Sequence, residues 1–225
     1  EDPLLWKDKV AYSEKLKAAK KNTKQDCAIM VATGNINNIE VVVASANMAF
    51  LGASVSISES EAIVYAVQHA IDNNKSFINF CSGGGMRMMT SAIALNAGMV
   101  KTTLAINELK KKKLPYIVCL ADPCYGGILA SYASTADITL AERSCSAGFA
   151  GRKVIEGTSN IQLPENFQSA SHLLSCGFLD AEVHRKDLAE KIGLILSILL
   201  KKQSNVKIED SGQTSENNIE NREAS

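Results

Sequence analysis

The chain has 225 residues, of which 46% are hydrophobic and 21% charged, and its formal net charge is zero. A nucleic-acid-binding protein usually carries a basic excess, which this chain lacks. No run approaches the roughly 20 apolar residues that a membrane-spanning helix needs. The length is sufficient for one sizeable hydrophobic core. Composition therefore predicts a soluble, enzyme-sized protein that binds neither nucleic acid nor membrane.

The six cysteines argue against a metal site and against a disulfide framework. They are spread along the chain without a CxxC pair, whereas structural zinc sites usually bring their thiolates in close pairs. Nothing in the composition is typical of a small secreted scaffold. We therefore expect no zinc and no other metal in this chain, and a reducing, cytoplasmic location.

Composition divides the chain into three parts. Residues 1–26 are rich in lysine with a few apolar points, which predicts a helical region docked on the body or on a partner. Residues 27–202 hold the strand and helix patterns and are predicted to form the main domain. Residues 203–225 are almost entirely polar, so they cannot bury enough surface to offset the entropy of ordering. We expect them to form a disordered tail.

Within the body, short apolar runs typical of strands alternate with stretches of helical periodicity. The predicted strands are 28–33, 39–46, 77–81, 116–121 and 137–141, and the first two flank a hairpin turn. The predicted helices are 59–73, 89–113, 167–174 and 188–199. Such alternation indicates an α/β fold with a largely parallel sheet.

Three consecutive glycines, Gly83–Gly85, lie between a predicted strand and a predicted helix. A dinucleotide-binding loop would need a third glycine where Met88 stands, and a Walker loop would need Gly-Lys-Ser/Thr instead of Gly85-Met86-Arg87. A plain corner seldom needs three glycines. The pattern therefore favours an oxyanion hole, in which the N–H groups of Gly84 and Gly85 stabilise negative charge on a carbonyl oxygen.

Side-chain catalysts are scarce in this sequence. The three histidines lie on predicted helices or at a surface-like junction, and no G-x-S-x-G motif is present. No group of His, Asp and Glu residues has metal-ligand spacing. An enzyme of this composition would work mainly with backbone donors, which suits the enolate chemistry of thioesters.

A series of motifs resembles the β subunit of the acetyl-CoA carboxylase carboxyltransferase of bacteria and plastids. In chain order they are Asp2-Pro3-Leu4, Phe50-x-Gly52, Gly84-Gly85-x-Arg87-Met88, Leu114-Pro115-Tyr116-Ile117, Asp122-Pro123-x-x-Gly126-Gly127, Gly148-Phe149-Ala150-Gly151-x-x-Val154-Ile155-Glu156-x-Thr158 and Leu163-Pro164-x-x-Phe167-Gln168. The resemblance extends from residue 2 to about residue 200, and it is specific because so many motifs share one order.

The resemblance implies a fold, a reaction and partners. The fold would be crotonase-like, of the ClpP/crotonase type, built from repeated ββα units. The reaction would move the carboxyl group of carboxybiotin, held on the biotin carboxyl carrier protein, to acetyl-CoA and so give malonyl-CoA. An α subunit would complete the active site in an α2β2 heterotetramer and supply the hole for the biotin ureido oxygen. Biotin's own nitrogen can serve as the base, so no side-chain base is required.

The resemblance also assigns roles to residues of this chain. Gly84 and Gly85 would be the catalytic donors to the thioester enolate. The residues expected to contact acetyl-CoA or biotin are Gly52, Ala53, Arg87, Gly126, Gly127, Gly148, Phe149, Ala150, Gly151 and Arg152. Arg87 is predicted to lie in the first turn of a helix, where a cation opposes the helix dipole. We therefore expect it to bind the CoA phosphates or an acidic group of the α subunit.

The sequence departs from the family pattern at several places near this predicted site. The four-cysteine zinc ribbon that usually comes before Asp2-Pro3-Leu4 is not in this chain. Leu51–Ser56 reads Leu-Gly-Ala-Ser-Val-Ser instead of Met-Gly-Gly-Ser-Met-Gly. Met89-Thr90 replaces Gln-Glu, and Gly151-Arg152-Lys153 replaces Gly-Pro-Arg. These changes lead to the hypothesis of a divergent paralogue that serves a specialised pathway or tolerates a carboxyltransferase inhibitor.

Two other functions compete with this interpretation. A crotonase-fold hydratase or decarboxylase would act on another acyl-CoA, with Glu59 and Glu61 as candidate acids of a hydratase. Both glutamates also suit the start of a helix, where negative charge complements the dipole. A non-catalytic partner of an α subunit is the third possibility, but a scaffold has no need for the Gly84-Gly85 donors.

Overall fold

A computed structural model describes residue 2 and residues 4–90, 98–159 and 161–201. The predicted tail 203–225 lies outside the described residues, and so does the segment 91–97 of a predicted helix. Within the described ranges, no helix is long and apolar enough to cross a membrane.

The described part of the chain contains six α-helices and seven strands. In chain order they are α1 (Tyr12–Thr23), β1 (Ile29–Ile36), β2 (Ile39–Ala46), α2 (Ile57–Asp72), β3 (Ser76–Gly83), α3 (Val100–Lys111), β4 (Tyr116–Tyr125), β5 (Ile138–Glu142), β6 (Ala147–Gly148), α4 (Arg152–Ser159), α5 (Ala170–Ser175), β7 (Ala181–Val183) and α6 (Leu188–Leu199). The predicted alternation of strands and helices is confirmed.

The strands form one sheet in the order β1-β2-β3-β4-β5-β7, and β6 pairs with the end of β4. Only β1 and β2 are antiparallel to each other, and the other pairs are parallel. The hairpin turn is tighter than predicted, because β1 extends to Ile36. Asn37 and Asn38 make the turn with φ of 48° and 62°, and asparagine tolerates this left-handed region better than most residues.

The sheet is covered on both faces, because successive side chains of a strand point to opposite sides. On β3, Phe77 joins the core cluster that contains Ile63 of α2 and Ile106 of α3. Ile78, the next residue, joins the cluster that contains Ile192 of α6. The result is a three-layer arrangement, with α2 and α3 on one face and α6 on the other.

Helix α1 packs beside the loop that follows β2. Leu16 and Ala19 share a small core cluster with Phe50 and Ala53 of that loop. The residues of the N-terminal region thus contact the body of the protein, at a loop that the sequence analysis assigned to the site.

The sequence gives a wrong account of the segment after the glycines. No helix follows Gly85 in residues 86–90, and α3 begins at Val100. Its buried residues are Thr102, Ile106 and Leu109, whereas Val100 and Leu104, predicted to lie on the core face, are exposed. Helical spacing predicts Val100 and Leu104 as core positions, but both side chains are exposed.

Candidate active site

Three glycine-containing loops meet at one edge of the sheet. They follow β3, β4 and β6, and the carboxyl ends of parallel strands lie at a common edge, where α/β proteins commonly bind ligands. The Gly126 N–H donates to the carbonyl oxygens of Gly148 and Phe149 at 3.1 and 3.0 Å. A Cβ atom on Gly126 would lie 3.2 Å from the Cα of Gly85. The structure therefore brings together the predicted site residues of all three loops.

Position 83 requires glycine because Ala53, in the loop after β2, packs against its backbone. The φ of Gly83 is 136°, and a Cβ atom there would lie 2.5 Å from the carbonyl oxygen of Ala53. That distance is below any normal contact, so a side chain at position 83 would push the two loops apart. The Gly52-Ala53 segment, also predicted to belong to the site, therefore packs directly against the glycine loop.

The N–H groups of the predicted donors Gly84 and Gly85 differ in their hydrogen bonds. The Gly84 N–H donates to the carbonyl oxygen of Gly52 at 3.3 Å, a long hydrogen bond. The Gly85 and Gly127 N–H groups have no acceptor among the described residues. A Cβ atom on Gly85 would lie 3.5 Å from the Gly127 nitrogen. Two N–H groups without a described acceptor thus lie in loops that pack against each other. One of them, Gly127, comes from a loop for which the sequence predicted only a lining role.

Gln168 supports the loop after β6, and the sequence analysis gave it no role. Its side chain is buried and fills the space beside Gly148, where a Cβ atom would lie 2.2 Å from its Nε2. Nε2 donates to the carbonyl oxygen of Ala150 at 2.6 Å, and the Tyr125 hydroxyl donates to Oε1 at 3.3 Å. The buried amide therefore links β4 to the segment 148–150. Its place in the Leu163–Gln168 motif was the signal that could have found it.

The expectation that Arg87 lies in the first turn of a helix is wrong. Arg87 does not lie in the first turn of a helix, and its guanidinium group points into the protein. It forms an ion pair with Glu59 of α2 and donates to the carbonyl oxygen of Ser54 and the hydroxyl of Tyr12. The cation thus has an internal counter-charge, and a contact with the CoA phosphates or with the α subunit stays a prediction.

Arg152 is also occupied by the protein itself. Its Nη1 atom donates to the Glu156 carboxylate and the Leu163 carbonyl oxygen, both at 3.0 Å. Its Nη2 atom donates to the carbonyl oxygens of Pro164 and Glu165. These contacts connect α4 to the segment 163–165, so the structure gives Arg152 a bracing role where the sequence predicted a substrate contact. Gly151 lies just before α4, and its carbonyl oxygen accepts from the first turn.

The buried thiols near the loops, and the two glutamates considered as acids, are poorly suited to act as an acid, base or nucleophile. Burial raises the pKa of the Cys119 and Cys145 thiols to about 12 and that of Cys81 well above its usual range. Glu59 is held by its ion pair, and Glu61 pairs with Lys101 on the surface. Neither glutamate is placed as the acid of a hydratase. No group of three metal-ligating side chains occurs within the described ranges.

A cavity of about 810 Å³ opens on the α6 side of the sheet, at the ends of β2 to β5. It is lined by apolar side chains such as Phe80 and Ile192 and by the carboxylates of Asp122 and Glu142. Ser82 lines it and precedes the glycine loop directly. The predicted site residues do not line this cavity, although it opens at the same edge of the sheet as the loops. We assign the chemistry to the loops because they carry N–H groups without an acceptor among the described residues.

Large apolar side chains are exposed beside the loops. We call Met88, Met89, Phe149 and Val154 the apolar rim. Phe149 is 75% exposed and Val154 59% exposed, and α4 buries none of its residues. Exposed apolar patches of this kind mark interaction surfaces.

Comparison with known protein families identifies related sequences. A family model for the carboxyl transferase domain matches residues 6–222. The chain is 50% identical over 216 residues to the acetyl-coenzyme A carboxylase carboxyl transferase subunit beta of Pelagibacter ubique. The aligned region covers 96% of this chain and 69% of that protein. It is 41% identical over 201 residues to the protein of the same name from Maricaulis maris, with 89% and 64% covered. The chain spans about two thirds of the length of these relatives.

Solved structures show the same fold at low sequence identity. A chain of the hetero-dimer of a Pseudomonas malonate decarboxylase superposes on this one with a TM-score of 0.67 at 23% identity. The superposition covers 78% of this chain and 78% of that chain. Transcarboxylase 12S, with methylmalonyl-coenzyme A bound, also gives a TM-score of 0.67, at 22% identity, over 76% of this chain and 33% of that one. The predicted crotonase-like fold is confirmed by this likeness.

Proposed function

The chain belongs to the carboxyl transferase family, together with the β subunits of acetyl-CoA carboxylase, and we propose that it is the β component of such a carboxyltransferase. It would transfer the carboxyl group of carboxybiotin to acetyl-CoA to give malonyl-CoA. The observation that carries the proposal is the pair of open N–H groups of Gly85 and Gly127. Backbone donors fixed in this way suit a thioester oxygen that gains negative charge.

In the proposed mechanism, the thioester oxygen of acetyl-CoA accepts hydrogen bonds from Gly85 and Gly127. Carboxybiotin, when bound, would supply carbon dioxide as the electrophile and, at the nitrogen freed by its loss, the base that takes the methyl proton of acetyl-CoA. The electron pair of the broken C–H bond forms the enolate, whose methylene carbon then attacks carbon dioxide. The negative charge on the thioester oxygen is greatest in the enolate, so the two donors stabilise the transition state more than the substrate. Gly84 would assist only if its long bond to Gly52 opened.

Several parts of the proposal concern contacts with substrates. Ala53, Ala150 and Gly151 would border the acyl-CoA or biotin, since they lie in or next to the loops that meet at this edge. Arg87 and Arg152 would support the loops of the site through the intramolecular contacts described above. The reaction would be carried by the domain 27–202, with residues 1–26 packed against it.

The proposed partners are an α subunit and the biotin carboxyl carrier protein. The apolar rim supports the first, because Phe149 and Val154 are exposed next to the loops that would hold the substrate. An α2β2 heterotetramer would bury this surface and close the site around the ureido oxygen of biotin. Such an enzyme would work in the cytoplasm, where acetyl-CoA is carboxylated for lipid synthesis.

The test is a reconstituted carboxyl transfer. The chain is mixed with its cognate α subunit, carrier protein carboxylated with ¹⁴C and acetyl-CoA, and acid-stable ¹⁴C in malonyl-CoA is counted. We expect product only when both subunits are present. Hydration of an enoyl-CoA, or loss of the carboxyl group of malonyl-CoA without carrier protein, would favour another crotonase-fold activity. Binding of the α subunit without turnover would indicate a scaffold.

A further inference from the structure

The side chain of Arg87 ties the loop of Gly85 to three other parts of the chain. Its Nε and Nη2 atoms donate to the carbonyl oxygen of Ser54 at 3.0 and 2.7 Å. Its Nη1 atom donates to the Tyr12 hydroxyl of α1 at 2.6 Å. Nη2 also forms an ion pair with the carboxylate of Glu59, and the exposed fractions of the two side chains are 9% and 1%. The guanidinium is therefore a buried junction.

Glu59 is the counter-charge of this junction and is itself fully bonded. Its Oε1 atom accepts from the Ala28 N–H at 3.0 Å, and its Oε2 atom accepts from the N–H and the hydroxyl of Ser56, both at 2.8 Å. A carboxylate at this depth is costly unless it is paired and hydrogen-bonded. Burial raises the pKa of Glu59, but the Arg87 guanidinium and these hydrogen bonds outweigh it, so the pKa lies below its ordinary value.

The backbone of the same loop is bound on its other side to Val55. The Val55 N–H donates to the Gly85 carbonyl oxygen at 2.9 Å, and the Arg87 N–H donates to the Val55 carbonyl oxygen at 2.7 Å. Gly85 has a φ of 105° and no side chain to restrict it, so its orientation depends on contacts from outside. The Val55 bonds fix the peptide group that follows Gly85, and the Arg87 side chain holds the chain two residues later. Both therefore constrain the loop that presents the Gly85 N–H.

We propose that Glu59 is a positioning residue for carboxyl transfer, acting through Arg87 on the Gly85 donor. This inference rests on the function proposed above. Glu59 touches no reacting atom. It supplies the charge that keeps the guanidinium in place, and the guanidinium keeps the loop in place. Because misplacing a reacting group by about 1 Å can cost about 10²-fold in rate, the loss of this charge lowers kcat and leaves the affinity for acetyl-CoA nearly unchanged.

The test is Glu59→Gln in the complex of the full chain with its cognate α subunit. The variant keeps the shape of the side chain and removes its charge. We expect kcat to fall by about 10- to 100-fold, while KM for acetyl-CoA stays within about twofold of the wild type. Glu61→Gln is the matched control, because Glu61 lies on the same helix but pairs with Lys101 at the surface. Glu59→Asp keeps the charge and should recover part of kcat.

Each outcome bears on one proposal. A wild-type complex without carboxyl transfer contradicts the proposed function before any variant is compared. An active wild type together with a Glu59→Gln variant that keeps kcat, or changes KM alone, contradicts the positioning role. If circular dichroism shows that Glu59→Gln is unfolded, Tyr12→Phe decides, since it removes only one hydrogen bond from the guanidinium. We then expect a severalfold lower kcat in a folded chain, and an unchanged kcat overturns the inference.

Discussion

The loop that carries Gly85 and helix α4 both border the candidate site, but they are held in different ways. The loop is bonded to Val55 through its backbone and to Glu59, Ser54 and Tyr12 through Arg87. Helix α4 buries none of its residues. It is held by the polar contacts that Arg152 makes with the segment 163–165.

The difference indicates which part of the site is complete within this chain. A donor that must point at a developing charge needs a rigid support, and the chain supplies one from its own buried residues. Exposed apolar side chains such as Val154 of α4 and Phe149 shortly before it leave hydrophobic surface in water, which is unfavourable until a partner buries it. The proposed β component would thus hold its N–H donors in place by itself, and it would need a partner to bury its exposed apolar side chains.

The strongest test of this comparison is Gly85→Ala. The substitution places a Cβ atom 3.4 Å from the Cα of Gly126 at a φ that L residues rarely adopt, so the peptide must rotate and its N–H turns away. Loss of one oxyanion donor typically costs about 10²- to 10³-fold in kcat, and we expect a loss of that size in the reconstituted assay. Gly34→Ala is the control, because nothing lies within 4 Å of a Cβ atom there. Equal kcat values for both variants would show that Gly85 is not a donor.

A smaller effect is expected at the apolar rim. Val154→Glu puts a charge on the exposed face of α4 and should weaken binding of the α subunit about 10-fold or more, as charges in apolar interface centres do. The isolated chain should keep its melting temperature, because Val154 is 59% exposed. Ile198→Glu on α6, also exposed, should not change binding. Isothermal titration with the α subunit measures both, and equal affinities would remove α4 from the interface.

The least disruptive test is thiol labelling, which probes the buried core under the loops without a substitution. Cys124 is buried, and burial raises its pKa far above the neutral range. Cys176 is exposed on the surface. A disulfide reagent at neutral pH should label Cys176 rapidly, and Cys124 only after unfolding. Cys176→Ser should remove the fast phase. Rapid labelling of Cys124 in the folded chain would mean that the core under the loops opens readily.

The sequence predicted the sheet better than it predicted the surroundings of the site. Apolar runs and helical spacing identified β2, β3 and α2 nearly at their observed bounds, since these elements bury most of their apolar residues. Strands β6 and β7 have two and three residues, too few for a periodic signal. Helix α4 was not predicted for a related reason, because it buries none of its residues and therefore has no buried stripe.

The contacts of Arg87 could not be predicted from local pattern. Its counter-charge, Glu59, lies on another element and is brought close only by the fold. The Gly127 donor was equally hidden, because an N–H group is open or bonded according to tertiary structure, whatever the residue type. Of the departures from the family pattern, Ser56 has a visible role, since it caps α2 and binds Glu59. A specialised or inhibitor-tolerant function stays a prediction.

The central claim is that backbone N–H groups of this chain polarise the thioester of acetyl-CoA. Isotope-edited infrared difference spectroscopy tests it directly, with acetyl-CoA carrying ¹³C at the thioester carbonyl and bound to the complex with the α subunit. A hydrogen-bonded carbonyl absorbs at lower wavenumber, so we expect a downward shift with the wild type and with Gly34→Ala, and a smaller shift with Gly85→Ala. The same frequency in all three complexes, equal to that of free acetyl-CoA, would contradict the account.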